Sequence, residues 1–158
     1  MKIHKLEEIW LVLSVGIIAL AVIITGYQAF QLNMAPPSHK ETIDPQKVSE
    51  TAPFDQPGVY KTGDNEYEVI MTLQTFSFEP NEIKVPKGAK VTFTMTSKDV
   101  VHGINVPHTN INTMVVPGYN QKITQTFNES DEFILICNEY CGIGHDQMSA
   151  KIIVEEGA

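Results

Sequence analysis

The sequence contains no arginine, one tryptophan and two cysteines among its 158 residues. Its 11 basic residues are therefore all lysines, and 19 acidic residues outnumber them, so the formal charge is −8 at pH 7. An acidic chain without arginine lacks the positive surface that nucleic acids require, which excludes nucleic-acid binding. Two cysteines are too few to build a disulfide-stapled scaffold, so each cysteine needs its own explanation.

Charged residues are also absent from the whole stretch between Ile9 and Ser38. As a helix at ~1.5 Å per residue, the apolar run from Ile9 to Phe30 is long enough to cross a hydrocarbon core of ~30 Å. The run exceeds the apolar core of a cleaved signal peptide, and no clear A-x-A cleavage pattern follows it. We therefore predict a transmembrane helix over residues 9–34, preceded by a tail of residues 1–8. We expect this tail to be cytoplasmic, although lysines on both sides of the run mean that charge counting barely decides the orientation.

The remaining chain divides into a proline-rich segment and a β-rich segment. Five of the nine prolines lie in residues 35–66, where little periodicity is present, and this composition predicts an extended linker. From Tyr67 onward, short runs rich in Val, Ile, Thr and Phe alternate between polar and apolar residues and are separated by turn signals. Residues 67–158 are therefore predicted to form an all-β domain, an antiparallel β-sandwich with Greek-key connections. Phe76 and Phe78 fall within these runs and are expected to be buried; the alternative is that they form an apolar docking patch.

One predicted loop carries most of the residues that bind metals. It reads CNEYCGIGHDQM from Cys137 to Met148 and lies between two predicted strands, and a further imidazole, His102, follows an earlier strand. Soft sulfur ligands with imidazole suit copper better than magnesium or calcium. A simple disulfide and a structural Cys2His2 zinc site are alternatives. The zinc site leaves Met148 unused, and a mononuclear blue-copper site has no place for a second cysteine, whereas two bridged coppers use both.

The pattern C-x-E-x-C-x-x-x-H-x-x-M, with a distant upstream histidine, resembles the dinuclear copper A centre of cytochrome c oxidase subunit II. The segments FSFEPNEIKVPKGAKVTFTMTSKDVVHGINV, TNIN and ICNEYCGIGHDQM extend this resemblance over nearly the whole soluble domain of that family. A single anchor and a short chain are most similar to the ba-type, or B-family, oxidases, since many other oxidases begin this subunit with a two-helix hairpin. The resemblance implies a cupredoxin-like Greek-key β-sandwich.

The resemblance also implies a set of metal ligands, each at a matching position of this sequence. Cys137 and Cys141 would bridge two copper ions. His102 would bind one copper, with Met148 as its weak axial ligand. His145 would bind the other copper, with the backbone carbonyl of Glu139 as its weak ligand.

The function implied by the resemblance is electron entry into an oxidase. The copper domain would lie on the extracytoplasmic side of the cell membrane, accept electrons from cytochrome c and pass them to the haem of subunit I. Oxygen would be reduced to water in subunit I, where haems and a further copper are expected. This chain itself shows no arrangement for acid–base or nucleophilic catalysis. Its acidic surface either steers a basic cytochrome c or is simply solvated.

Three other functions compete with this interpretation. A Sco-like copper chaperone also has one anchor and a C-x-x-x-C motif, but it has a thioredoxin-like fold. A quinol oxidase subunit shares the sandwich but has lost the copper ligands, which this sequence keeps. A free-standing electron-transfer cupredoxin would differ by working without a haem-bearing partner.

Overall fold

The computed structural model describes residues 4–32 and 41–156. The chain separates into an N-terminal unit that ends at Pro36 and a second unit that begins at Pro37. The end of the predicted transmembrane segment, residues 33–34, and the start of the predicted linker, residues 35–40, lie outside the described residues.

A single helix, α1 (Lys5–Gln31), makes up the described part of the N-terminal unit. The Leu6 N–H donates to Nδ1 of His4 at 3.4 Å, and the His4 N–H donates to the Glu7 carboxylate at 3.0 Å. This reciprocal capping box satisfies free backbone donors, so the helix begins earlier than the predicted residue 9. None of its residues is buried. Among the described residues, it is the one helix long and apolar enough to cross a membrane.

The second unit is a sandwich of two β-sheets. In chain order, the strands of its described part are β1 (Glu41–Thr42), β2 (Gly58–Gly63), β3 (Glu66–Gln74), β4 (Ser77–Glu79), β5 (Glu82–Pro86), β6 (Lys90–Ser97), β7 (His102–Asn105), β8 (Asn112–Val115), β9 (Tyr119–Thr126), β10 (Glu132–Ile136) and β11 (Ser149–Glu155). One sheet has the order β1-β9-β6-β3-β2, with β4 also paired to β3, and the other has the order β5-β11-β10-β7-β8. The predicted cupredoxin-like β-sandwich with one N-terminal apolar helix is therefore confirmed.

Two strand pairs differ from the predicted antiparallel arrangement. β3 pairs with β6 in parallel, and β11 pairs with β5 in parallel. In the first case, β4 and β5 lie between the two partners in the chain, and β5 belongs to the opposite sheet. A connection that crosses to the other sheet and returns brings the next strand back in the same direction, which a hairpin cannot do.

The hydrophobic core lies between the two sheets. Alternate residues of β3 and β6 point into it, as the period of two requires, and are completely buried: Val69, Met71, Leu73, Val91, Phe93 and Met95. Cys137, Cys141 and Met148 belong to the same buried cluster. The loop that carries them is therefore continuous with the core and is not an independent surface feature.

The predicted extended linker is wrong for residues 41–66. Glu41 of β1 pairs with Asn120 of β9, and residues Pro45–Glu50 form a 3-10 helix that the Asp44 side chain caps. Val48 and Phe54 are buried against Ile70 of β3, on the side of the sheet that faces away from the main core. Pro45 lies in the first turn of the 3-10 helix, where a proline loses no hydrogen bond. The buried side chains of Val48 and Phe54 then attach this proline-rich segment to the sheet.

Candidate metal centre

The loop from Cys137 to Met148 connects two neighbouring antiparallel strands. Ile136 at the end of β10 faces Ser149 at the start of β11. The Cys137 N–H donates to the Met148 carbonyl oxygen at 3.1 Å, and this bond closes the loop at its base. The first and last candidate ligands of the loop are therefore adjacent in space although eleven positions separate them in sequence.

Two free, buried cysteines form the centre of the loop. Their Sγ atoms lie 3.8 Å apart, whereas a disulfide requires about 2.05 Å. The Glu139 carbonyl oxygen lies 3.2 Å from the Cys137 sulfur, and the Met148 sulfur lies 3.6 Å from the Cys141 sulfur. The disulfide alternative is thus not the state of these thiols in the structure.

The two candidate histidines approach different sulfurs. His102, at the start of β7, is completely buried, and its Nδ1 lies 3.9 Å from the Cys137 sulfur. β7 borders β10, which carries the loop to this end of the sandwich. His145 lies in a short 3-10 helix, His145–Gln147, is half-buried, and has its Nδ1 3.7 Å from the Cys141 sulfur.

The structure brings all six predicted ligands to one place. Glu139 contributes its backbone carbonyl oxygen, and the other five residues contribute side-chain atoms. Within this group, the ligand atoms of His102, Cys137 and Cys141 all lie within 4.8 Å of one another. Metal–thiolate bonds of about 2.3 Å allow two sulfurs 3.8 Å apart to share one ion. Thiolate, thioether and imidazole donors fit copper or zinc and do not fit magnesium or calcium.

Sequence reasoning did not identify Asp99, which supports the site from outside. Its Oδ1 accepts a hydrogen bond from His102 Nε2 at 2.9 Å, and its Oδ2 accepts one from the Thr75 N–H at 2.6 Å. Partial burial alone would raise the pKa of the Asp99 carboxyl, but hydrogen bonds from Thr75, His102 and Val100 hold this pKa well below its usual range. An aspartate three residues before a candidate ligand histidine was the available signal in the sequence.

Phe76 differs from its predicted burial. Only Phe78 is buried, at 3% exposure, whereas Phe76 is 47% exposed. Phe76 lies in the turn between β3 and β4 with φ of 68°, so it leaves the alternation of the strand. Its ring covers the loop so closely that a Cβ added at Gly142 or Gly144 would lie 3.1 or 3.0 Å from it. A side chain at either position would therefore require the ring to shift by a few tenths of an ångström, and the φ of 135° at Gly142 separately favours glycine there.

The pKa of the Cys141 thiol is raised by two nearby features. Burial is the larger cause, and the neighbouring Cys137 thiol adds to it. A hydrogen bond from the Phe76 backbone to the Cys141 sulfur acts in the opposite direction. Without a cation, the raised pKa therefore favours the neutral thiol of Cys141, and a positively charged metal would favour its thiolate.

Gly103 forms the other boundary of the loop. A Cβ at this position of β7 would collide with the Asn138 amide and would lie 2.9 Å from Cγ of Glu139. Asn138 also donates to the Asn112 side chain on β8 at 3.1 Å. The side chains of Asn138 and Glu139 therefore pack directly over the bare backbone of β7 at Gly103.

Comparisons with known proteins place the chain among oxidase subunits. The family model "Cytochrome C oxidase subunit II, periplasmic domain" matches residues 66–156. One cytochrome c oxidase subunit 2 from Thermus thermophilus is 36% identical over an alignment of 163 positions, gaps included, that covers 98% of this chain and 97% of the relative. A second subunit 2 from Thermus thermophilus is 42% identical over 123 residues, 77% of this chain and 91% of that one.

A solved structure is similar over almost the same length. A chain of a heme-copper terminal oxidase dimer, determined by cryo-electron microscopy, superposes with a TM-score of 0.74 at 31% identity and covers 96% of this chain and 100% of its own. The thioredoxin-like fold required by the chaperone alternative is not the fold of this chain.

Proposed function

Because the chain belongs to the cytochrome c oxidase subunit II family, we propose that it is the electron-entry subunit of a ba-type oxidase with a dinuclear copper centre. Family membership itself implies copper binding and a partnership with subunit I of a heme-copper oxidase. The observation that carries the finer proposal is the pair of free thiols 3.8 Å apart, with one histidine nitrogen beside each sulfur.

The side chains divide into two sets around this sulfur pair. Cys137 and Cys141 would bridge both ions, because each sulfur has the other as its neighbour within the loop. His102 and Met148 would complete one half of the centre and His145 the other, together with the carbonyl of Glu139. Both weak donors, the thioether and the carbonyl, lie within 4 Å of a cysteine sulfur, which supports their place in the ligand set. Their division between the two halves follows from the family resemblance.

The contribution of the protein to electron transfer would be to keep these donor atoms in fixed positions. When bound, two copper ions that share two thiolates would supply a one-electron carrier whose charge is spread over both metals. The chain keeps both sulfurs and the Met148 thioether inside the hydrophobic core, away from water. The closed loop base and the strand position of His102 limit how far the donors can move when the charge changes. Small rearrangement makes electron transfer fast.

The N-terminal unit supports the ba-type assignment. The described residues contain one candidate membrane span, α1, where a hairpin-type subunit would have two. The helix precedes the sandwich in the chain, so an N-terminus in the cytoplasm would put the copper domain on the extracytoplasmic side. Lysines flank the helix on both sides in the sequence, and the orientation therefore follows from the family resemblance and not from charge counting.

Cytochrome c is the proposed electron donor, and it would dock on exposed apolar side chains near the loop. We call this group the apolar rim: Phe76, Val100, Val101, Tyr140 and Ile143, of which Ile143 is 96% exposed. Phe76 connects the rim to the centre, because its ring covers the loop and its backbone contacts the Cys141 sulfur. Exposed apolar groups beside a redox site are typical of a docking surface for a protein partner.

The decisive experiment is electron paramagnetic resonance of the full-length chain, purified in detergent and loaded with copper. A dinuclear centre with shared valence gives a seven-line hyperfine pattern and a ratio of two coppers per chain. Four lines would mean a lone copper, and a colourless protein that binds zinc in preference would support the structural-zinc alternative. The variant His108→Asn is a matched control, since His108 is an exposed histidine outside the site.

Donor docking is tested on the assembled oxidase with cytochrome c as substrate. Phe76→Asn removes the ring and keeps a residue that tolerates positive φ, so we expect KM to rise about 10-fold, as for an interface hot spot, with little change in kcat. Tyr60→Asn removes an exposed ring on β2, outside the rim, and should leave KM unchanged. If the acidic surface also steers a basic donor, turnover falls as salt rises, and a flat response would exclude steering.

A further inference from the structure

Asp99 connects two separate parts of the polypeptide that support the candidate centre. Its carboxylate accepts hydrogen bonds from His102 Nε2, from the Val100 N–H at 2.6 Å, and from both the N–H and the hydroxyl of Thr75. Thr75 follows β3, and His102 begins β7, so these donors come from strands of opposite sheets. One side chain thus bridges the two sheets of the sandwich beside the sulfur pair.

The first consequence concerns the tautomer of His102. A carboxylate only accepts hydrogen bonds, so the Nε2 that lies 2.9 Å from Asp99 must carry the ring proton. The other nitrogen, Nδ1, then has a free lone pair on the side of the ring that faces the Cys137 sulfur. This is the tautomer that a metal bound beside that sulfur requires.

The second consequence concerns the loop. The turn that Asp99 holds through Thr75 continues directly into Phe76, whose ring covers Gly142 and Gly144. The Phe76 backbone also contacts the Cys141 sulfur. Asp99 therefore contacts the candidate ligand His102 directly, and it is connected to the candidate ligand Cys141 through the turn formed by Thr75 and Phe76.

We propose that Asp99 is a positioning residue that orients His102 and holds the Thr75–Phe76 turn against the loop, so that the two halves of the centre keep a fixed separation. This inference rests on the proposed dinuclear copper centre. Asp99 is not itself placed as a ligand, because its oxygens already accept hydrogen bonds and it touches His102 at the nitrogen that faces away from the sulfurs.

A readout that needs no copper tests the first half of the proposal. In the reduced, metal-free full-length chain, ¹⁵N resonances of the His102 ring report which nitrogen carries the proton. We expect a single Nε2–H tautomer in the unsubstituted chain and a mixture of tautomers in Asp99→Ala. Asp64→Ala, at an exposed aspartate in the β2–β3 turn, is the control and should leave the His102 resonances unchanged. An unchanged tautomer in Asp99→Ala would overturn the proposal.

Copper affinity and reduction potential test the second part of the proposal, the support of the loop through the Thr75–Phe76 turn. We expect Asp99→Ala to lose about 10–100-fold in copper affinity against a competing chelator. Asp99→Asn keeps the size and one acceptor oxygen, so it should retain more copper and show a higher reduction potential, since a negative charge near the oxidised centre is lost. Thr75→Val removes only the hydroxyl contact and should alter the copper spectrum without changing the His102 tautomer.

The outcomes separate this inference from the proposed function. If the unsubstituted chain shows four hyperfine lines, the dinuclear centre fails, whatever Asp99 does. If it shows seven lines and both Asp99 variants match Asp64→Ala in copper affinity and potential, the centre stands and the positioning role is wrong. Should Asp99→Ala not fold, Asp99→Asn supplies the comparison of copper affinity and reduction potential, with its thermal unfolding as the check on structure.

Discussion

The two candidate histidine ligands occupy very different surroundings. His102 begins a strand, is completely buried and is held by a hydrogen bond from its ring to Asp99. His145 lies in a three-residue 3-10 helix, is half-buried and packs against the exposed Tyr140 ring, with the ring centroids 5.9 Å apart. One half of the candidate centre is therefore built into the sandwich, and the other is carried by a loop at the surface.

This difference indicates a division of roles within one small site. The buried half fixes the position of the sulfur pair relative to the sheets. In the proposed copper centre, the half-buried half would lie close to the surface, so that an electron could enter or leave over a short distance.

The largest effect is expected from removing a bridging sulfur, because both halves of the proposed centre would share it. We expect Cys137→Ser to eliminate the seven-line spectrum and to reduce the copper content below two ions per chain. Cys141→Ser should give the same result, since each sulfur would contact both ions. The measurement is electron paramagnetic resonance with metal analysis of the purified full-length chain. Retention of seven lines in either variant would contradict the bridging role.

Replacing each histidine in turn should reveal the difference between the halves. In the metal-free chain, His102→Asn should lower the free energy of unfolding by about 1–3 kcal/mol, because it leaves a cavity and takes the ring donor from Asp99. His145→Asn should stay within about 0.5 kcal/mol, as substitutions near the surface usually do. Denaturant unfolding followed by circular dichroism measures both values. Equal losses of unfolding free energy in the two variants would show that the surroundings of His102 and His145 contribute equally to stability.

The smallest effect is expected for the axial thioether. Met148→Leu nearly conserves volume in a buried position, so it should cost less than about 1.5 kcal/mol of stability. Because an axial thioether binds weakly, copper should remain bound with a perturbed spectrum. Met114→Leu, at a methionine that is 48% exposed on β8, should change neither property. Complete loss of copper from Met148→Leu would be inconsistent with an axial role.

The candidate ligands were predictable from the sequence because five of the six lie in one loop. The spacing between Cys137 and Met148 limits how far apart these residues can be once the flanking strands are paired. His102 is distant in sequence, but it follows a strand that ends on the same side of the sandwich as the loop. The pairing of Asn105 on β7 with Ile136 on β10 brings His102 to the loop. Local spacing and strand position thus sufficed to bring the two cysteines, both histidines and Met148 together as candidates, whereas the Glu139 carbonyl entered only through the family resemblance.

The supports of the site were less predictable, because they depend on long-range packing. Asp99 has only a spacing of three residues to His102 as its signal, and nothing in the sequence shows that Thr75 approaches it from another strand. The exposure of Phe76 depends on a positive φ in a turn that resembles a strand by composition. The attachment of residues 41–56 depends on two apolar side chains, Val48 and Phe54, within a proline-rich segment that has no periodicity.

The bare backbone at Gly103 has a consequence for how much this chain can vary. Even the addition of one methyl group there would collide with the Asn138 side chain and press against the stem of Glu139, so both side chains would have to move. Substitution of a glycine that binds nothing would thus disturb the residue whose carbonyl is the proposed weak donor.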